Sequence, residues 1–344
     1  MAARTNKPVS MEARQVDELP RGEGWQYEPK WDGFRCIARR NGKRVDLLGR
    51  SGKSLARYFP EIVAALAKLE PRRFVLDGEL VIPTGATLSF EALQMRLHPA
   101  ASRIRRLSGE TPAVLIVFDM LQAPDGTDFA THALRERRMA LERFFATLGE
   151  KTRLRLSPAT EKRADASRWL ARAGGGALDG VVAKRLDEPY RAGERAMLKI
   201  KCLRSADCVV GGFRYATAKR SVGSLLLGLY NEQGLLDHVG FTSAIGDDER
   251  AALTRKLERL RGGPGFTGDA PGGPSRWSTE RSAQWESLKP KLVVEVQYDH
   301  VTGDRFRHGT RLLRWRPDKA ARQCTFEQLQ REATPSRLMR KIFA

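Results

Sequence analysis

Tyr27-Glu28-Pro29-Lys30-Trp31-Asp32-Gly33-Phe34-Arg35 is the stretch on which the reading of this chain turns. It sets a primary amine, Lys30, two residues ahead of a carboxylate, Asp32, with Gly33 next and a second cation, Arg35, five residues past the lysine. An amine becomes a nucleophile when burial and neighbouring cations lower its proton affinity. Taken alone, Lys30 reads more readily as a surface lysine than as a nucleophile, so its meaning depends on what the rest of the chain supplies. The spacing predicts a strand end followed by a tight turn at Gly33.

The chain has 344 residues, enough for two domains. Hydrophobic residues make up 41% and charged residues 30%, a balance that suits a packed, soluble protein. The formal net charge is +20 and the pI is 10.3. Such a charge points to a polyanionic partner, nucleic acid above all, with solubility or genomic base composition as the plainer account. Aromatics interleaved with cations, as in Phe213-Arg214-Tyr215 and Arg314-Trp315-Arg316, favour nucleic acid. Cys36, Cys202, Cys208 and Cys324 have neither zinc-ligand nor disulfide-framework spacing. No apolar run reaches transmembrane length, and Met1 to Lys7 lacks the apolar core of a signal peptide. A cytoplasmic protein without a membrane partner is expected.

Around the opening stretch, Cys36-Ile37-Ala38 and Val45-Asp46-Leu47-Leu48 read as strands joined at Asn41-Gly42. Gly49-Arg50-Ser51-Gly52-Lys53 is a basic loop, too short and wrongly spaced for a Walker A loop. Ile62, Val63, Leu66 and Leu69 mark a helix stopped by Pro71. Phe74 to Ile82 is a strand whose period places Asp77 and Glu79 on one face, which demands a cation or solvent there. Ala113 to Leu121 reads as a buried strand. His132 to Leu148 reads as an amphipathic helix with Leu134, Leu141, Phe145 and Leu148 inward, and Ala164 to Ala173 as a helix closed by Gly174-Gly175-Gly176. Leu178 to Lys184 and Ala196 to Cys202 are strands. On the latter, Leu198, Ile200 and Cys202 face one way; Met197, Lys199 and Lys201 face the other, as an edge guard or a phosphate site.

Beyond Cys202 come short strands at Asp207–Phe213, Ser224–Tyr230, Leu235–Thr242, Val293–Tyr298 and Leu312–Trp315, with a helix near Asp248–Arg261. Five strands and one helix in about 120 residues suit a small Greek-key β-barrel of the OB type. The expected division is residues 1–202, an α+β domain with antiparallel sheets, and residues 203–344, the OB-fold domain.

An ordered series of strings resembles the ATP-dependent DNA ligases. Lys30-Trp31-Asp32-Gly33 with Arg35 matches the family's first motif, Arg50 its next basic position, and Asp77-Gly78-Glu79 its acidic third motif. Val117-Phe118-Asp119 matches its aromatic strand, Asp179-Gly180-Val181-Val182-Ala183-Lys184 its fourth motif, Lys199-Ile200-Lys201 its fifth and Arg316-Pro317-Asp318-Lys319 its sixth. The series covers residues 28–319 and is similar to the small, stand-alone C-type bacterial repair ligases: a nucleotidyltransferase (adenylation) domain followed by an OB-fold domain, with no room for a DNA-encircling domain ahead of it.

That resemblance implies a three-step reaction. Lys30 takes AMP from ATP, AMP passes to the 5′-phosphate at a nick, and the 3′-hydroxyl then displaces it. Lys199, Lys201 and Arg35 would hold the α-phosphate, Phe118 would stack on adenine, Glu28 would read the adenine amino group, and Asp32 would orient the lysine. Glu79 would bond the ribose. Arg50 would reach the ribose side and then the DNA 5′-phosphate, and Arg195 would contact nucleotide. Glu79 and Asp179 would hold Mg2+ (or Mn2+), and Arg316, Asp318 and Lys319 would orient pyrophosphate. Nicked double-stranded DNA, repair proteins, a nucleoid-associated site and a monomeric state are the implied partners and setting. Two positions depart from the family pattern. Asp179 replaces the usual glutamate, so a metal would have to move in by about a bond length or bind through water. Met197 stands where an aromatic is common, on a short approach to the fifth motif. An RNA ligase or capping-type nucleotidyltransferase, or a non-catalytic basic OB-type binder, are the alternatives.

Overall fold

The computed structural model of the protein describes residues 9–85, 87–149, 152–173, 178–216, 219–272, 284–329 and 342. The chain divides into two compact units, Met1–Cys202 with a C-terminal stretch from Glu332, and Leu203–Arg331. Of that stretch Ile342 is described. It is buried in a cluster with Trp31, Val81 and Leu178, and its carbonyl accepts from Arg155 Nε at 2.8 Å. The expected 203–344 domain thus gives up an apolar residue near its end to the core of the first unit. Gly174-Gly175-Gly176 lie outside the described residues.

In the first unit, Lys30 belongs to the Trp25–Trp31 strand, at one end of a four-stranded sheet ordered Ala13–Gln15, Met197–Lys201, Leu178–Arg185, Trp25–Trp31. After a bend at Asp32-Gly33 the chain enters a five-stranded sheet ordered Arg44–Gly49, Phe34–Asn41, Arg73–Val81, Val114–Gln122, Leu154–Leu156. A Cβ on Gly33 would lie 2.2 Å from the Leu80 carbonyl oxygen, so the crossing from sheet to sheet has room only for glycine. Pairing is antiparallel except at two short edges, Ala13–Gln15 on Met197–Lys201 and Leu154–Leu156 on Val114–Gln122.

Register explains which side chains meet. Lys30 pairs with Gly180, which pairs with Lys201; Glu28 pairs with Val182, which pairs with Lys199. Period-two alternation therefore puts Glu28, Lys30, Lys199 and Lys201 on one face. Tyr27, Val181, Ala183, Leu198 and Ile200 form a buried cluster on the other, with Ala166 of the Arg163–Ala171 helix. Gly180 sits at φ +151°, where a Cβ would be 2.0 Å from the Ile200 carbonyl oxygen. The larger core cluster packs the five-stranded sheet against the Pro60–Lys68 and Leu134–Ala146 helices. On the latter helix Leu134, Leu141 and Phe144 are buried, and Phe145 and Leu148 pack partly buried against the same cluster.

The main sheet of the second unit is antiparallel, in the order Leu236–Thr242, Lys219–Tyr230, Arg204–Ala216, Val293–Tyr298, Arg311–Trp315, with Glu286–Ser287 also on Arg204–Ala216; Val301–Thr302 and Arg305–Phe306 form a separate two-stranded ribbon. The Arg250–Glu258 helix contributes Leu253 and Leu257 to its core. Among the described residues the sheet path is open, and its two ends meet at the isolated Thr242–Thr310 bridge. No helix among the described residues is long and apolar enough to cross a membrane.

Candidate active site

Lys30 meets its partner through an irregularity. Leu178 pairs with Trp31 and Gly180 with Lys30, so Asp179 is an extra residue, a β-bulge. A bulge re-aims side chains. Here it lays the Asp179 carboxylate beside the lysine row, with Oδ2 at 2.6 Å from Lys30 Nζ and 3.6 Å from Lys201 Nζ.

The cation that the Asp77/Glu79 face demands is Arg35. Its Nε and Nη2 donate to Asp77 Oδ1 and Oδ2 at 2.6 and 2.5 Å, and Asp77 is fully buried. Tyr190 Oη donates to Asp77 Oδ2 at 2.5 Å and accepts from the Met11 backbone N–H at 2.8 Å. The Arg35 guanidinium also lies 4.6 Å from the Phe118 ring centroid, and Lys184 Nζ lies 4.7 Å from it. Lys184 Nζ is 2.8 Å from Glu28 Oε2, while Gln26 Nε2 donates to Glu28 Oε1 at 2.7 Å. Burial pushes the Glu79 carboxyl up to about 7, against the opposing pull of Arg35 and Lys30.

These groups line one cleft. Its inner part is walled by Glu28, Lys30, Arg35, Glu79, Phe118 and Lys199, with Val182 and Met197 as apolar neighbours. Its outer part keeps Lys30, Arg35, Glu79 and Lys199 and adds Glu12 and Arg50. Burial, with Lys201, Lys30 and Arg50 nearby, lowers the proton affinity of Lys199 below the ordinary lysine value. Arg50 forms a two-pronged pair with Glu12 at 2.9 and 2.7 Å, and Arg195, largely exposed, lies 3.9 Å from the same carboxylate. Lys201 joins through Asp179. Arg316 and Lys319 belong to the second unit, where both contact Asp207 at 2.9 and 2.8 Å. The sequence reading did not single out Glu12, Gln26, Tyr190 or Asp207. All lie outside the motif strings; the fold brings Glu12 to Arg50, Tyr190 to Asp77 and Asp207 to Arg316, whereas Gln26 shares a strand face with Glu28, two residues along.

Residues 6–201 match the ATP dependent DNA ligase domain family, and residues 218–319 match the ATP dependent DNA ligase C terminal region. DNA ligase C2 of Mycolicibacterium smegmatis is 44% identical over 338 residues, 94% of each chain. DNA ligase C of Mycobacterium tuberculosis is 42% identical over 345 residues, 96% of each chain. The chain belongs to the ATP-dependent DNA ligase family. In fold, this ligase is similar to a solved Lig E DNA ligase, with a TM-score of 0.57 at 18% identity over 90% of this chain and 100% of that one.

Two consequences for the ligase follow from the buried charges. Asp77→Ala would leave the Arg35 guanidinium, 20% exposed, without its counter-charge, and is expected to destabilise the fold by about 3–5 kcal/mol in urea unfolding. Tyr190→Phe removes one hydroxyl and should cost about 1–2 kcal/mol. Glu79 has a folded value of about 7 against 4.5 for the free group, so the folded state holds its proton more tightly. The stability this confers is fully present below 4.5 and is lost as pH rises to about 7. Glu79→Gln should flatten that loss, read as urea midpoints of the ligand-free protein at about pH 5 and about pH 8.

Proposed function

We propose that this ligase seals nicks in duplex DNA, consuming ATP through an AMP adduct on Lys30. The observation that carries the reading is the set of cations Lys30, Lys199 and Arg35 lining one cleft, with Lys201 drawn to the same Asp179 carboxylate as Lys30 and Lys199 lowered in proton affinity. Like charges held this close suit an anionic ligand such as a triphosphate. Lys30 Nζ forms a bond to the α-phosphorus as the bond to pyrophosphate breaks, and the amine loses its proton. AMP is then transferred to the nick 5′-phosphate, and the 3′-hydroxyl attacks that phosphate to expel AMP.

Within this reading Asp179 orients the amine and Arg35, set by Asp77, grips the α-phosphate with Lys199 and Lys201. Phe118 is the platform for adenine, and Glu28, held by Gln26 and Lys184, faces the base. Arg50 and Arg195 serve phosphates at the outer cleft, and Arg316 and Lys319 serve the pyrophosphate. Mg2+ or Mn2+ would be held by Glu79 and Asp179 and would offset phosphate charge. The donor set fits. Glu79 keeps its proton to about 7, and a divalent cation would ionise it. Mg2+ commonly takes one or two carboxylates and completes its shell with water and phosphate oxygens.

The second unit is proposed to be an OB-type module that binds DNA. Lys256 lies over the Trp315 ring there, a pairing of cation and aromatic that suits nucleic acid. The proposal extends to a cytoplasmic, monomeric enzyme of DNA repair, for whose polyanionic substrate a net charge of +20 is suited. The test is joining of matched nicks with all-DNA and with RNA-containing strands, plus ATP and Mg2+. Sealing of the all-DNA nick supports the proposal, and joining of RNA ends alone defeats it. Affinity for nicked DNA should fall about 10³-fold or more between about 50 and 200 mM salt if six or more phosphates are contacted, measured by fluorescence anisotropy.

A further inference from the structure

The carboxylate of Asp207 belongs to no motif string, yet it is the shared counter-charge of Arg316 and Lys319. Arg316 Nη1 donates to its Oδ1 and Oδ2 at 2.9 and 3.1 Å, and Lys319 Nζ donates to Oδ2 at 2.8 Å. The residue is anchored on both sides of its backbone. Its N–H donates to Gln328 Oε1 at 2.9 Å, and its carbonyl accepts from Gln328 Nε2 at 3.2 Å. Its side chain is 11% exposed.

Asp318 differs in kind. It contacts the other edge of the same guanidinium, with Nε at 3.0 Å from Oδ1 and Nη2 at 2.8 Å from Oδ2, but it is 63% exposed. An exposed partner can be exchanged for a ligand oxygen at little cost, whereas a buried, anchored one fixes geometry. The turn that carries the cations is itself pinned, with Lys319 N–H donating to Arg316 O at 3.3 Å and Arg316 N–H to Val293 O at 2.8 Å. One buried carboxylate oxygen therefore contacts a guanidinium and an ammonium together, and keeps two like charges close enough to meet one phosphate group.

We propose that Asp207 is a positioning residue for the first chemical step: it holds Arg316 and Lys319 as a preorganised pair for the pyrophosphate portion of ATP. This rests on the reading above that those two cations serve that step. Preorganised charge saves reorganisation at the moment of bond exchange, and a misplacement of about 1 Å can cost about 10²-fold in rate.

The experiment separates the steps in the full chain. Formation of the AMP adduct from labelled ATP and Mg2+ is timed for the wild type, Asp207→Asn, Asp207→Glu, Arg316→Ala and Lys319→Ala. The same preparations then seal a nick whose 5′-phosphate already carries AMP, which bypasses the first step. Asp207→Asn is expected to slow adduct formation by about 10–100-fold while sealing the pre-adenylylated nick within about threefold of wild type. Asp207→Glu, which keeps the charge but moves it by one methylene, should show the same split more weakly. It decides the matter if the asparagine variant does not fold. Equal losses in both assays would mark Asp207 as merely structural and overturn the proposal, as would an accelerated first step. If Arg316→Ala and Lys319→Ala leave adduct formation intact, the underlying reading of the two cations fails. If they impair it while both Asp207 variants do not, the fault lies with Asp207 alone.

Discussion

Lys30→Ala is expected to form no detectable AMP adduct, a loss of at least about 10⁴-fold, as removal of a covalent nucleophile brings elsewhere. Other amines stand nearby, so the size of the effect needs an argument. Lys201 is in the same row of the sheet, two strands away from Lys30, which separates their backbones by about 9–10 Å. Their amines converge only because both reach toward Asp179. An α-phosphate held for in-line attack by Lys30 is thus approached by Lys201 from a different side, and in-line displacement does not tolerate that change. Lys199 is one row further along. The adduct is read by incubating labelled ATP and Mg2+ with each variant and counting label on the denatured chain. Label on Lys30→Ala would move the nucleophile to another residue. Sealing of a pre-adenylylated nick should survive in this variant within about tenfold, since that step does not use the amine as a nucleophile.

What the sequence made legible follows physical range. Lys30 and Arg35 stand in one motif string, and the shared faces of Asp77 with Glu79 and of Lys199 with Lys201 follow from strand alternation, which is local. The demand for a cation near Asp77 and Glu79 was also readable, and Arg35 meets it. Partners across the fold were not. Tyr190 is 113 residues from Asp77, and Arg316 is 109 from Asp207, so no local pattern links them. The Asp179 bulge was hidden for another reason, because inserting one residue into a ladder depends on the neighbouring strand's register.

Asp179→Asn should reduce adduct formation by about 10²–10³-fold, and Asp179→Glu by no more than about tenfold. The asparagine keeps the shape of the bulge but removes the negative charge 2.6 Å from Lys30 Nζ and 3.6 Å from Lys201 Nζ. Two ammonium groups then share a sheltered space with an uncharged neighbour. Their mutual repulsion, strong in a low-dielectric cleft, would push the Lys30 side chain out of line with the α-phosphate. Glutamate keeps the charge and adds about 1.5 Å of reach. Its cost is a flexible side chain, not a lost interaction. If shape rather than charge governed this position, the order would reverse, with asparagine near wild type and glutamate impaired. Single-turnover adenylylation of the two variants at saturating ATP and Mg2+ distinguishes these orders. The charge argument fails if the asparagine enzyme is the faster of the two.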